Sequence, residues 1–366
     1  MKPLYISATK QDIGKTTLIL GLLQIFRDGG CNVGYMKPVG QRYVQYEGLN
    51  VDEDAVLARH AFGLRDHPGD MSPIAIERGF TERYIFHRNP LPLERRIGEA
   101  FDRLRAAHDF LLIEGTGHAG VGSCFDLSNA RVAELLGGHV IIVTEGGIGS
   151  AIDEIALSLH LFEKHGVPVH GVVLNKVWPE KVDKVGRAVA EGLSHLGTRL
   201  LGIVPYQAML VYPQMDQIAA EVGGRVLCGQ QALGNRIERT VVAAMEPEHV
   251  CAHIREKTLV ITPGDRIDNI LISITACQIE RGVYRPVSGI VLTGGFKPPA
   301  SILALLEAAA IPVVLCQEDT YTVASRLGEL QFKIRPEDTD KIEAAKDLIR
   351  RSLDGTSLLA ALAEDE

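Results

Sequence analysis

Cysteine is sparse and scattered. Cys31, Cys124, Cys228, Cys251, Cys277 and Cys316 stand far apart, and no two form a Cys-x-x-Cys pair. That spacing gives no support to a structural zinc site and reads as reduced, mostly buried thiols in a reducing compartment. Basic residues do not dominate either: 38 Lys and Arg face 46 Asp and Glu, a net charge of −8. Such a balance argues against a nucleic-acid partner, which would call for a basic face. The stretch from Arg95 and Arg96 to Arg105 reads as a solvated helix face. No apolar run approaches the roughly 18 residues of a membrane helix. The opening MKPLYISATK has no apolar core before Lys10, so no signal peptide and no membrane contact are expected. These absences together predict a cytoplasmic protein.

What is present is an ordinary globular composition, 46% hydrophobic and 23% charged over 366 residues. That length exceeds what one core usually holds, and two domains are expected. In the first part, short β-branched runs at 4–7, 33–38, 110–114, 139–145, 171–175 and 201–205 alternate with amphipathic stretches such as Thr16 to Arg27, Gly98 to Ala107 and Ile152 to His165. Continuously apolar strands separated by helices predict an α/β domain with a mainly parallel sheet covered by helices on both faces. A second, smaller α/β set follows, with strands at 258–264, 289–295 and 312–317 and helices over Ile267 to Ile279, Ala300 to Ala309 and Thr320 to Leu330. The expected division is 1–211, 212–335, and a charged helix with a polar AEDE tail over 336–366. No internal repeat or low-complexity linker is evident.

The segment TKQDIGKTT (9–17) joins the first strand to the first helix and follows the phosphate-loop pattern G-x-x-x-x-G-K-[ST], with Thr9 in the first glycine position. Backbone N–H groups of Thr9, Lys10, Asp12, Ile13 and Gly14 and of the helix start would face phosphate oxygens, assisted by the helix dipole. Gly14 lets the chain pass close to phosphate without a Cβ. Lys15 supplies a point charge for the β- and γ-phosphates, and the Thr16 hydroxyl is a candidate Mg²⁺ ligand. Thr17 extends the helix beside that ligand. Lys10 sits where deviant phosphate loops carry a second lysine able to reach a facing subunit; a solvated loop lysine is the plain alternative.

FLLIEGTG (110–117) ends an apolar strand in an acid followed by glycines. Ligands gather at the carboxyl ends of parallel strands, so Glu114 is a candidate Mg²⁺ ligand or water-positioning carboxylate. Gly115 and Gly117 would admit the γ-phosphate. Of Asp52, Glu53 and Asp54, acids that a helix start favours anyway, Asp54 is the preferred second metal ligand. Lys37, in KPVG (37–40), is placed to meet the γ-phosphate or a substrate, or is simply a strand-end lysine. Asn175 closes the strand GVVLN, a place from which an amide reads a base. Guanine readers continue Asn-Lys-x-Asp, but Trp178 stands fourth here, so adenine and hence ATP is preferred.

Taken together, TKQDIGKTT, GYMKPVG, the EDA at 53–55, IEGTG (113–117) and LNK (174–176) resemble the dethiobiotin synthetase and cobyrinic acid a,c-diamide synthase group of P-loop proteins over residues 1–210. The resemblance implies phosphate and metal binding by Lys15 and Thr16, and Mg²⁺ ligation by Asp54 and Glu114. It also implies that Lys37 faces the transferred phosphoryl group, that Asn175 contacts adenine, and that two subunits pair across their nucleotide faces. TPGDRIDNI (262–270) and LTGG (292–295) resemble a DRTGG domain, through Asp265, Arg266, Thr293, Gly294 and Gly295. The same five residues are the expected second-domain ligand site, or turn chemistry at strand ends. The pair of domains resembles the amino-terminal, non-catalytic portion of long bacterial phosphate acetyltransferases, whose catalytic domain would follow at about residue 370. Acetyl transfer is therefore not expected of these residues.

HAGVGSCFDLSN (118–129) does not reproduce a diaminopelargonate pocket, and no cysteine has the Gly-x-Cys-x-Gly setting of an amidotransferase nucleophile. The leading expectation is an ATPase module coupled to a regulatory or dimerising DRTGG-like domain that takes a small-molecule effector. The rivals are a synthetase that phosphorylates a small carboxylate or carbamate, and a nucleotide sensor without turnover.

Overall fold

The structure, a computed structural model, describes residues 2–275, 287–330, 332–355 and 358. It forms two compact units, Met1–Leu210 with Ile334–Glu366, and Val211–Lys333.

In the first unit the strands Leu4–Ala8 (β1), Val33–Met36 (β2), Phe110–His118 (β3), His139–Glu145 (β4), Val169–Val177 (β5) and Leu200–Pro205 (β6) form one sheet in the order β6-β5-β4-β1-β3-β2. Every neighbouring pair is parallel. Leu4, Tyr5 and Ile6 of β1 and Leu111, Leu112 and Ile113 of β3 are all buried, as strands covered on both faces require. The chain leaves β1 toward β2 on one side, and β4 lies on the other. The strand order therefore reverses beside β1, which opens a crevice above its carboxyl end. The helix Lys15–Asp28 begins in that crevice.

The expected strand 33–38 stops at Met36, because the Lys37 amide leaves the sheet to donate to the Met71 carbonyl (2.7 Å). Beyond it a hairpin, Tyr43–Tyr46 with Leu49–Asp52, delivers the chain to the helix Glu53–Phe62. Asp52 caps this helix by accepting from the Asp54 amide at 3.0 Å, which fixes where Asp54 starts its turn. The charged helix near the C-terminus forms over Thr339–Ser352 and packs on the helix Lys15–Asp28, with Ile342, Ala345 and Ile349 buried. The expected AEDE tail lies outside the described residues.

The second unit holds Arg225–Cys228 (β7), Arg239–Val242 (β8), Thr258–Pro263 (β9), Gly289–Thr293 (β10) and Val313–Leu315 (β11) in the order β7-β11-β10-β9-β8. All pairs are parallel except β7 with β11. Side chains alternate between two apolar layers. Val260, Ile290, Leu292 and Val313 join one, while Leu259, Ile261, Val291 and Val314 join the other. The edge strands β7 and β8 are short and partly exposed, so their pattern in sequence is weak. The expected strand 289–295 ends at Thr293, since Gly294 and Gly295 adopt φ of 75° and 72°. The helix expected over 267–279 is seen as Ile267–Thr275, and its remainder lies outside the described residues.

Candidate functional site

Gly14 caps the first helix with φ 102°, a left-handed conformation that favours glycine. Thr9, by contrast, has no positive φ among the described residues that do. Its hydroxyl lies 2.9 Å from that of Thr144 on β4, and its amide donates to Val143 at 3.0 Å. Threonine therefore fits the first position of this loop without a glycine backbone. Behind the loop, the Asn175 amide donates to the Ile13 carbonyl (2.7 Å) and accepts from the Lys176 amide (2.8 Å). Lys176 in turn donates to the Asp12 carbonyl at 2.8 Å. Asn175 thus braces the loop while keeping a second N–H and a second lone pair.

The charged centre sits at the carboxyl edge of β1 and β3. The Lys15 ammonium, 6% exposed, donates to the Gly117 carbonyl at 3.2 Å. The Thr16 hydroxyl reaches Glu114 Oε1 at 3.0 Å and Asp54 Oδ1 at 3.3 Å. Lys37 spans the same two acids, at 2.8 Å from Asp54 Oδ2 and 3.2 Å from Glu114 Oε1. Burial works to lower the Lys37 pKa, but the negative charges of Asp54, Glu114 and Asp52 outweigh it and hold the ammonium above the ordinary lysine value. Lys37, Asp54 and Glu114 are all buried, so their charges act with little screening by water.

The donor set fits Mg²⁺. Oxygens bound at right angles to Mg²⁺, each at about 2.1 Å, lie about 3 Å from one another. The Thr16 hydroxyl stands at 3.0 and 3.3 Å from the two carboxylates. Among the described residues no three His, Cys, Asp or Glu side chains make a metal cluster. The metal would accordingly be shared with phosphate oxygens and water.

Other expected residues lie at the margin. Lys10 is largely exposed and pairs with Glu154 of the helix Gly149–Lys164. Thr17 lies in the first turn of its helix. Gly115 passes so close to Tyr5 and Asn129 that a Cβ there would meet the Asn129 Oδ1 at 2.7 Å. Sequence pattern does not point to Asn129 or Tyr35. Asn129 accepts from the Tyr5 hydroxyl (2.8 Å) and the Thr116 amide (3.0 Å), and donates to the Thr116 and His118 carbonyls (2.7 and 2.6 Å). It thereby locks the segment around Gly117. Tyr35 donates to Glu114 Oε2 at 2.9 Å.

In the second unit the five expected residues gather at the carboxyl ends of β9 and β10. The Arg266 guanidinium bonds Asp268 (2.9 and 3.0 Å) and the Met245 carbonyl (3.2 Å), while Asp265 is exposed. The Thr293 hydroxyl meets that of Thr320 at 2.7 Å. The Gly294 and Gly295 amides donate to the Glu318 and Cys316 carbonyls (2.8 and 2.9 Å), which ties the end of β10 to the segment that follows β11.

The fold and this site define a P-loop nucleoside-triphosphatase-like α/β domain joined to a second, smaller α/β domain. The family model described as "AAA domain" matches residues 2–214, and that described as "DRTGG domain" matches 217–330. The chain belongs to the AAA domain family and carries a DRTGG domain after it. It is 28% identical over 365 residues to a phosphate acetyltransferase of Nitratidesulfovibrio vulgaris, covering 97% of this chain and 51% of that protein. A phosphate acetyltransferase of Synechocystis is 27% identical over 373 residues, with the same coverage of each. The chain thus spans about half the length of the curated relatives it matches, which fits the resemblance to their amino-terminal portion. Among solved structures, the MinD cell division protein of Aquifex aeolicus aligns at 15% identity and a TM-score of 0.37, over 57% of this chain and 84% of that one. Among the described residues no helix is long and apolar enough to cross a membrane.

Proposed function

We propose that the first unit is an Mg²⁺-dependent ATP site whose occupancy is coupled to the DRTGG domain, in a cytoplasmic protein that works as a homodimer. The observation that carries the nucleotide reading is the convergence of Lys15, Thr16, Lys37, Asp54 and Glu114 at the carboxyl edge of one parallel sheet. Thr16, Asp54 and Glu114 would hold the metal, which when bound neutralises phosphate charge. Lys15 exchanges the Gly117 carbonyl for phosphate oxygens, and the loop amides up to Gly14 orient the same phosphates. Lys37 contributes a permanent positive charge next to the γ-phosphate position. Adenine is favoured over guanine because the fourth position of the motif that begins at Asn175 is Trp178. An indole only donates, whereas reading the guanine N1–H and N2–H edge calls for an acceptor such as a carboxylate.

The DRTGG domain would take a small-molecule effector or pair two copies, with Lys10 reaching the partner's phosphates in the dimer. No nucleic-acid partner is proposed. The nucleotide site is tested by titrating ATP and GTP with Mg²⁺ into wild type and Lys15→Ala while following ADP release. ATP-selective binding lost in the variant supports the site, and no binding by folded wild type sinks it. ADP formed from ATP alone marks a hydrolase, ADP formed only with an added small acid a synthetase, and binding without ADP a sensor. ATP that alters neither the monomer–dimer balance nor the second unit's ligand affinity would remove the coupling.

A further inference from the structure

We infer that Tyr35 is a positioning residue that orients Glu114 for metal and nucleotide binding. The inference rests on the ATP site proposed above. Glu114 and Tyr35 lie on the same face of neighbouring strands, since Tyr35 registers with Leu112, two residues before Glu114. The phenol donates to Glu114 Oε2 at 2.9 Å, and both side chains are at most 1% exposed. The other carboxylate oxygen, Oε1, receives the Thr16 hydroxyl and the Lys37 ammonium. The two oxygens therefore have separate duties: Oε2 is anchored to the strand next door, and Oε1 faces the loop.

A carboxylate has nearly free two-fold torsion at its last bond. Without an anchor on Oε2, the Glu114 head can turn away from Thr16. A buried phenol is well suited to hold it. Its O–H donates to a carboxylate oxygen, which only accepts, so the pairing has one direction. Tyr5 serves the opposite face of β3, where it registers with Ile113 and its hydroxyl goes to Asn129, not to Glu114. Two tyrosines thus fix the two faces of one strand, and only Tyr35 touches the carboxylate that meets Thr16.

The test compares wild type, Tyr35→Phe, Glu114→Gln and the double variant by calorimetric titration of ATP, with Mg²⁺ and with the metal chelated. Thermal melting runs alongside. Tyr35→Phe should lower affinity for ATP with Mg²⁺ about 10- to 100-fold, as expected for losing one hydrogen bond to a charged group behind a metal. Affinity without the metal should change less than about two-fold, well below that one-bond effect. In the Glu114→Gln background the tyrosine substitution should add nothing, because a residue acting through Glu114 has no further effect once that carboxylate is gone. Equal losses with and without Mg²⁺, or a full additional loss in the double variant, would overturn the inference. Wild-type Mg²⁺ dependence in folded Tyr35→Phe would also overturn it. Failure of wild type to bind ATP at all would remove the nucleotide site itself, and the role of Tyr35 with it.

Discussion

Asn175 and Gly14 meet so closely that a Cβ on the glycine would lie 2.2 Å from the Asn175 amide nitrogen. The same amide holds the Ile13 carbonyl at 2.7 Å. The tight turn and its brace are therefore one device, and the glycine is required twice, once for its φ of 102° and once for space. Gly14→Ala should displace the brace and lose at least about ten-fold in ATP affinity. Its strained backbone should also cost about 1–3 kcal/mol of stability. Calorimetric titration and urea unfolding read the two effects. Wild-type affinity in the alanine variant would show that the loop does not hold the phosphates.

Lys37 stands between two buried acids, and the second prediction concerns what happens when its charge is removed. Lys37→Met leaves Asp54 and Glu114 buried without their ammonium. Breaking a buried ion pair from one side costs about 3–5 kcal/mol. Urea unfolding should report a loss of that order in the absence of divalent metal. Millimolar Mg²⁺ should recover part of it, because the cation takes over the neutralising role and binds the folded state. A loss below about 1 kcal/mol, the range of a surface pair, would show that the acids do not depend on Lys37.

Much of this architecture is legible in the sequence because its strands are continuous apolar runs and its loop chemistry is local. TKQDIGKTT runs from the end of one strand into the first turn of one helix, so its elements could be placed without tertiary information. Asp52 is another local case: an acid before Glu53 and Asp54 reads as a helix start, and it caps that helix. What sequence does not show is contact between residues far apart in the chain. Tyr35 and Glu114 are 79 residues apart, and Tyr5 and Asn129 are 124 apart. Each of those tyrosines reads as an ordinary core aromatic until the sheet places it beside a polar partner. The edge strands β7 and β8 escape for a different reason: they are short and half-solvated, so neither period nor hydrophobicity marks them.

Asp66 and His108 supply a pH dependence. The His108 Nε2 lies 2.8 Å from Asp66 Oδ1, and the Nδ1 lies 3.1 Å from Asn32 Oδ1. The hydrogen bond to His108 is the main cause that holds the Asp66 carboxyl below its ordinary value of 3.8. A carboxyl with a depressed folded-state pKa stabilises the protein above its unfolded value, and that contribution disappears as pH falls through the folded one. Wild type should therefore melt higher than Asp66→Asn at pH 6–7, and the gap should close below about pH 4. Melting curves across that range check it. A gap that stays constant down to pH 3 would mean that the pair contributes by shape and not by charge.

Gly21 and Ile349 join the N-terminal phosphate-loop helix to the helix Thr339–Ser352, and their fit is close. A Cβ on Gly21 would come within 2.1 Å of the Ile349 Cβ, and Ile349 itself is fully buried. The last described helix thus belongs to the core on which the loop stands, although more than 300 residues separate the two in sequence. Ile349→Ala should leave a cavity there and cost about 2–5 kcal/mol. Trp178, the single tryptophan, lies in the same unit and is about half exposed, so its fluorescence reports unfolding of that unit. Gly21→Leu should destabilise by overpacking, about 1–3 kcal/mol, and should weaken ATP binding if the strain moves the start of the helix at Lys15. An unchanged urea midpoint in Ile349→Ala would mean that the two helices do not share a cooperative core.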